Sequence, residues 1–155
     1  MPLNIGDKAP NFKAESDTGE TFSLSSLKGK PFVLYFYPKD DTSGCTAEAC
    51  SFTENIKAFD KLGVTVLGVS KDSLEKHAKF RKKYDLKFPL LSDADGTLCE
   101  AYETWIEKSM YGRKYMGIDR ATFLIDADGK IQSLWRKVKV PGHIEAVLEA
   151  VKEVA

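Results

Sequence analysis

Three cysteines in 155 residues are too few, and odd in number, for a disulfide-framework protein. Neither sign of charge is in excess: 23 Lys and Arg stand against 23 Asp and Glu, which argues against binding driven by bulk electrostatics, as nucleic-acid proteins use. Long apolar runs are missing as well. The longest, Phe32 to Tyr37, falls far short of the roughly 20 residues that a membrane-spanning helix needs. The opening MPLNIGDKAP lacks the basic stretch and long apolar segment of a secretory leader. No internal repeat, low-complexity tract or long linker is visible, and glycines and prolines are scattered singly. What is present, 43% hydrophobic and 30% charged residues, can build one core and wet its surface. The expectation is a soluble, cytoplasmic protein with a single domain over residues 1–155 and with no nucleic-acid or membrane partner.

The pattern along the chain alternates strands and helices. Residues 11–15 and 20–24 read as short extended pieces around the turn Asp17-Thr18-Gly19, and Leu24 to Lys28 as a helical turn. PFVLYFYP (31–38) is aromatic, β-branched and nearly all apolar, which fits a central strand buried on both faces. Residues 44–61 repeat apolar side chains at Ala49, Phe52, Ile56, Phe59 and Leu62, a helical spacing. VTVLGVS (64–70) reads as a second central strand, and Ser73 opens a helix to Tyr84 with Phe80 on its apolar face. Phe88–Leu91 fits a short strand, and Gly96–Tyr102 a short helix opened by Asp95. Strands at 121–126 and 130–136 are joined by Ala127-Asp128-Gly129, a hairpin signal, and an amphipathic helix runs from Pro141 through Val151. This order predicts an α/β fold with a mixed sheet, compatible with a thioredoxin-like arrangement.

The chemistry concentrates in YFYPKDDTSGCTAEAC, residues 35–50, which runs from a central strand through a polar loop into a helix. Open α/β sheets place their sites at the carboxyl ends of strands. Cys45 falls in the first turn of that helix, where free N–H groups and the dipole favour a thiolate. An ordinary thiol, with a pKa of about 8.5, is only roughly 3% ionised at pH 7, so such a placement matters to a nucleophile. Cys45 can equally be a small buried hydrophobe, and local context leaves both readings open. Cys50 lies five residues on, about 140° around a helix from Cys45. That spacing fits neither a metal pair nor a C-x-x-C disulfide oxidoreductase, but it allows a nucleophile with a partner that reaches it after rearrangement. Cys99, among Leu98, Ala101 and Tyr102, reads as a helix-packing residue.

Pro38, Thr42 and Cys45 match the Pro-x-x-x-Thr-x-x-Cys motif of the peroxiredoxins, followed by Glu48 and Cys50. The opening GDKAPNF, the middle GVSKDS and PLLSDADG, and the late KSMYGRKYMGIDRATFLIDADGKI extend the match over almost the whole chain. The sequence therefore resembles the peroxiredoxins, most closely the bacterioferritin comigratory protein, or peroxiredoxin Q, branch. It departs at Ser43, where that branch usually has proline, a change that removes no catalytic group. The resemblance implies a thioredoxin-like fold with a central mixed sheet flanked by helices and an N-terminal β-hairpin extension. It implies reduction of hydrogen peroxide and organic hydroperoxides, with Cys45 as peroxidatic and Cys50 as resolving cysteine. Their intramolecular disulfide would be recycled by thioredoxin or a similar dithiol.

Arg120 matches the family's distant arginine. Thr42, Cys45 and Arg120 would bind the peroxide, with Pro38 shielding the pocket and the Arg120 charge favouring the thiolate. No metal, flavin or nucleotide cofactor is implied, and the branch favours a monomer. A thiol–disulfide oxidoreductase without peroxidase activity and a stoichiometric chaperone or redox-sensing protein are the alternative classes. The remaining candidates read as bland. His77, between lysines, is expected to face solvent; His143 shows no acid or nucleophile partner; residues 105–117 read as a packed Met- and Tyr-rich loop, with walling the pocket or receiving a partner as the alternative; and Lys79, Arg81, Lys82 and Lys83 form a solvated helix face.

Overall fold

The computed structural model describes residues 2–154 and opens on a small antiparallel ladder, β1 (Lys13–Glu15) against β2 (Thr21–Ser23). A single 3₁₀ turn at Ser25–Leu27 leads into β3 (Phe32–Phe36), every residue of which is buried. The helical region that follows is two helices, α1 (Ser43–Glu54) and α2 (Ile56–Lys61), where the apolar spacing predicted one. The break falls at Asn55, whose side-chain amide donates to the Ser51 carbonyl at 2.8 Å and so competes with the helical ladder. Then come β4 (Thr65–Ser70), α3 (Leu74–Tyr84), β5 (Leu90–Ser92) and α4 (Thr97–Ala101). A hairpin, β6 (Trp105–Met110) with β7 (Arg113–Ile118), precedes β8 (Ala121–Ile125), β9 (Ile131–Trp135) and α5 (His143–Val154).

The central sheet runs β5-β4-β3-β8-β9, with β4 parallel to β3 and to β5, and with β8 antiparallel to β3 and β9. Successive β3 side chains enter two separate apolar layers. Val33 and Tyr35 meet Phe52 of α1, Phe59 of α2, Phe80 of α3 and Val147 of α5; Phe32, Leu34 and Phe36 meet Leu98 and Tyr102 at α4. Burial on both faces explains why this strand shows no polar alternation. Gly68, opposite Tyr35 on β4, is required by packing, since a Cβ there would lie 3.0 Å from the Tyr35 ring.

The 105–117 segment corrects the packed-loop expectation. It is an antiparallel ribbon turning at Tyr111 (φ 52°) and Gly112 (φ 78°), the two positive φ values of a tight hairpin turn. The apolar side chains of Met110, Tyr111, Tyr115 and Met116 are exposed on it.

The helix predicted to open at Asp95 is held more deeply by buried Asp93. Its two carboxylate oxygens accept from the backbone N–H groups of Leu98 (3.0 Å) and Cys99 (2.7 Å). Among the described residues, no helix is long and apolar enough to cross a membrane.

Candidate active site

β3 ends at Phe36, and the chain passes through Tyr37–Asp41 to α1, whose third residue is Cys45. Cys45 is buried at 2% exposure. Thr42 stands at the N-cap with extended backbone (φ −97°, ψ 156°), but its hydroxyl donates to the Lys39 carbonyl at 3.0 Å rather than capping the helix. The Thr42 backbone carbonyl accepts from the Thr46 N–H at 2.8 Å, which closes the first turn around Cys45. The helix start is thereby ordered while its earliest N–H groups remain free to face an anion.

Arg120 arrives from just before β8, 75 positions along the chain, and donates from Nη2 to Cys45 Sγ at 3.3 Å. Its Nη1 donates to Glu48 Oε1 at 2.7 Å. One guanidinium therefore grips the thiol with one arm and, with the other, a carboxylate one helical turn further on. Gly44 permits this approach, because a Cβ there would come within 3.1 Å of Nη2. Glu48 is fully buried, and burial, opposed by Arg120, pushes its carboxyl up to about 7. Its Oε2 and the Tyr35 hydroxyl are both buried with no hydrogen-bond partner among the described residues. Lys108 of β6 adds a second cation. Burial lowers its pKa, and Asp119, Arg120 and Cys45 lie near it.

Pro38 is exposed. With Trp105, Lys108, Tyr115 and Met116 it lines a groove of about 360 Å³. Lys71 stands over the Trp105 ring at 4.0 Å along the same groove. Cys50 is half-buried in the same helix as Cys45, and both thiols are free. Burial and the nearby Glu54 raise the Cys50 pKa. Cys99 is fully buried under α4, in keeping with a packing role.

Two sequence expectations are corrected here, those for His77 and for the basic face of α3. His77 is not solvent-facing but wholly buried, with Nδ1 2.6 Å from Asp40 Oδ2 and Nε2 2.8 Å from the Leu91 carbonyl. The spacing of Leu74, His77 and Phe80, three residues apart, already placed it on the apolar face of α3. Arg81 leaves the presumed solvated face to bond Asp17 and the carbonyls of Leu86 and Phe88, and Lys83 pairs with Asp41 at 2.9 Å. His143 is buried too and bonds the Thr122 hydroxyl at 2.7 Å; burial, with the charge of Arg120, lowers its pKa to about 4. It is neutral at physiological pH. Among the described residues no group of three His, Cys, Asp or Glu side chains could hold a metal ion.

A buried thiol at a helix start, bonded by an arginine, suits attack on an electrophile whose departing oxygen needs donors. The known proteins that this chain resembles are consistent with that chemistry. The AhpC/TSA family model matches residues 5–134. A Coxiella burnetii putative peroxiredoxin bcp is 53% identical over 96% of this chain and 98% of its own. Peroxiredoxin Bcp of Bacillus subtilis is 48% identical over 100% of this chain and 99% of its own. Among solved structures, a cysteine-to-serine mutant of Xylella fastidiosa PrxQ superposes with a TM-score of 0.92 at 41% identity, covering 99% of this chain and 98% of that one. The Xanthomonas campestris bacterioferritin comigratory protein, studied for alkyl peroxide reduction, gives 0.89 at 42%, covering 97% and 96%. With a family model covering most of its length and near-half identity to curated relatives end to end, the chain belongs to the AhpC/TSA family and is a peroxiredoxin, a peroxidase that works through a cysteine thiol.

Proposed function

We propose that Cys45 is the peroxidatic cysteine, Cys50 the resolving cysteine, and Thr42 and Arg120 the peroxide-binding groups. The observation that carries the reading is the 3.3 Å bond from Arg120 Nη2 to Cys45 Sγ in the first turn of α1. Cys45 thiolate attacks one oxygen of the hydroperoxide, and the O–O bond breaks. The leaving oxygen takes a proton to become water or an alcohol, and Cys45 becomes a sulfenic acid. Donors aimed at both oxygens stabilise the charge that develops there, and Arg120 supplies them beside the sulfur. The Thr42 hydroxyl spends its proton on Lys39, so it meets the peroxide as an acceptor for the substrate O–H. Pro38 adds an apolar wall without an N–H of its own.

The Cys50 sulfur then attacks the Cys45 sulfenic acid, and water leaves as the disulfide forms. On an intact helix, residues five apart have Cα atoms about 8.7 Å apart. A disulfide needs roughly 4.4–6.8 Å, so α1 unwinds for the bond to close. A dithiol, thioredoxin or a protein like it, supplies the two electrons and two protons that regenerate both thiols. The substrates in this reading are hydrogen peroxide and organic hydroperoxides, handled by a single-domain monomer in the cytoplasm, where thiol reductants are maintained. Peroxide-dependent, thioredoxin-coupled NADPH oxidation tests it. The expected result is turnover with hydroperoxide and none without. Insulin reduction without peroxide consumption, or stoichiometric client binding without turnover, would overturn it.

A further inference from the structure

Outside the thiol site, His77 is a buried titratable group with both ring nitrogens bonded, at 0% exposure in a helix that is otherwise largely polar. A carbonyl oxygen only accepts, so the 2.8 Å contact to Leu91 puts a hydrogen on Nε2. The 2.6 Å contact from Nδ1 to Asp40 Oδ2 then requires one further proton between the two groups. Asp40 is anchored at two more points. Its Oδ1 accepts from the Tyr37 hydroxyl at 2.5 Å, and its backbone N–H donates to Asp72 Oδ2 at 2.8 Å. Tyr37 lies at the end of β3, Asp72 between β4 and α3, and His77 on α3, so three separate parts of the fold converge on one loop residue. Asp41 follows in the left-handed region (φ 59°), tied to Lys83 and Tyr84, and the next residue is Thr42. Because the Thr42 side chain makes no capping bond, the loop rather than a cap sets where α1 begins.

We propose that His77 is a positioning residue for the peroxide step: by holding Asp40 it fixes the loop that presents Thr42 and the first turn of α1 to the substrate. The inference rests on Cys45 being the peroxidatic cysteine. A buried ion pair is an inefficient way to stabilise a fold, since apolar side chains of similar volume often do as well or better. What the pair supplies is a fixed geometry two residues from Thr42, where a displacement of about 1 Å can cost up to 10²-fold in rate. The titratable and charged groups facing His77 are Asp40, Asp72 and Tyr37, while Lys39, Lys76, Lys79 and Lys83 line the pocket in which Asp40 and Asp72 stand. Burial alone would lower the His77 pKa, but the bond and charge of Asp40 outweigh it and raise it. Rising pH removes the proton and sets the Nδ1 lone pair against the carboxylate.

The test measures the rate of Cys45 sulfenic acid formation by rapid-quench mass spectrometry in a Cys50→Ser background. His77→Asn keeps a donor at the position of Nδ1, toward Asp40; His77→Gln keeps one at the position of Nε2, toward Leu91, and abandons Asp40. The expected result is a loss on the order of tenfold for His77→Gln and less than about threefold for His77→Asn. The parent should also show an alkaline fall in rate that His77→Asn lacks. Asp40→Ala cuts the clamp from the loop side and should match His77→Gln, which keeps the test decisive if the glutamine variant fails to fold. Any pattern in which His77→Asn performs no better than His77→Gln and Asp40→Ala overturns the inference. Peroxide consumption by Cys45→Ser in the same assay would instead overturn the reading on which it rests.

Discussion

Cys45 and Cys99 form a natural pair for comparison. Each is the third residue of its helix, α1 and α4, and each is buried, at 2% and 0% exposure. Position on a helix therefore does not separate them. At α4 the buried Asp93 carboxylate occupies the N–H groups of Leu98 and Cys99, and a negative charge sits where a thiolate would form. Burial and Asp93 together raise the Cys99 pKa strongly. At α1 the cap side chain turns away to Lys39, the early N–H groups stay free, and a guanidinium donates to the sulfur instead. A helix start becomes a nucleophile site only when the charge brought to it from elsewhere has the right sign.

Substitutions can break this comparison, beginning with the largest effect. Cys45→Ser should reduce thioredoxin-coupled peroxide consumption to background, because a hydroxyl of far higher pKa cannot replace the thiolate; near-parental turnover would remove the assignment. Cys50→Ser should lose steady-state turnover yet consume one equivalent of peroxide, with the sulfenic acid at Cys45 visible by mass spectrometry. Arg120→Ala should slow the peroxide step by about 10²-fold, the scale of losing one donor aimed at a developing oxyanion, as read in single-turnover kinetics.

Glu48→Gln should act mainly on pH dependence. The folded carboxyl holds its proton up to about 7 against an ordinary 4.5, so the folded state binds more protons between those values, and stability falls as pH rises through that window. Urea denaturation at pH 5 and pH 8 should show that loss in the parent and not in the glutamine variant. Cys99→Ser should change turnover less than about twofold, the scale expected of a change in packing rather than chemistry. A large loss of rate there would mean that Cys99, not Cys50, resolves the intermediate.

The strand and helix order was readable from the chain because β3 and β4 are unbroken apolar runs and α3 carries a clear Ser73 cap, which accepts from the Lys76 N–H at 3.2 Å. The start of α1 was readable from apolar spacing alone, since Thr42 supplies no cap bond. Arg120 was reached only through resemblance, since nothing near residue 120 announces a partner 75 positions earlier. Glu48 was quoted as part of a motif, but its bond to Arg120 is equally long-range, and Lys108 went unseen inside an expected loop. His77 was misread because the charge of its neighbours was weighed above its periodicity with Leu74 and Phe80. Asn55 was missed because apolar spacing continues across it, while its side-chain amide bonds the backbone in a way that no hydrophobic pattern records.

The interruption at Asn55 turns α1 into a spring with a stop. Unwinding that starts at Cys45 meets the end of its hydrogen-bond ladder after Glu54, while α2 remains moored by Phe59 in the core. Opening the full 12-residue helix would pull Phe52 away from Tyr35, on which it stacks at 4.6 Å. Exposing such a ring costs roughly 1.5–3 kcal/mol, a load that the proposed Cys45–Cys50 disulfide would hold while closed. Were a reductant to cut that bond, reburial of Phe52 would wind the coil shut and return Cys45 to Arg120. Such a recoil would need no helper, so the proposed cycle would carry its own reset.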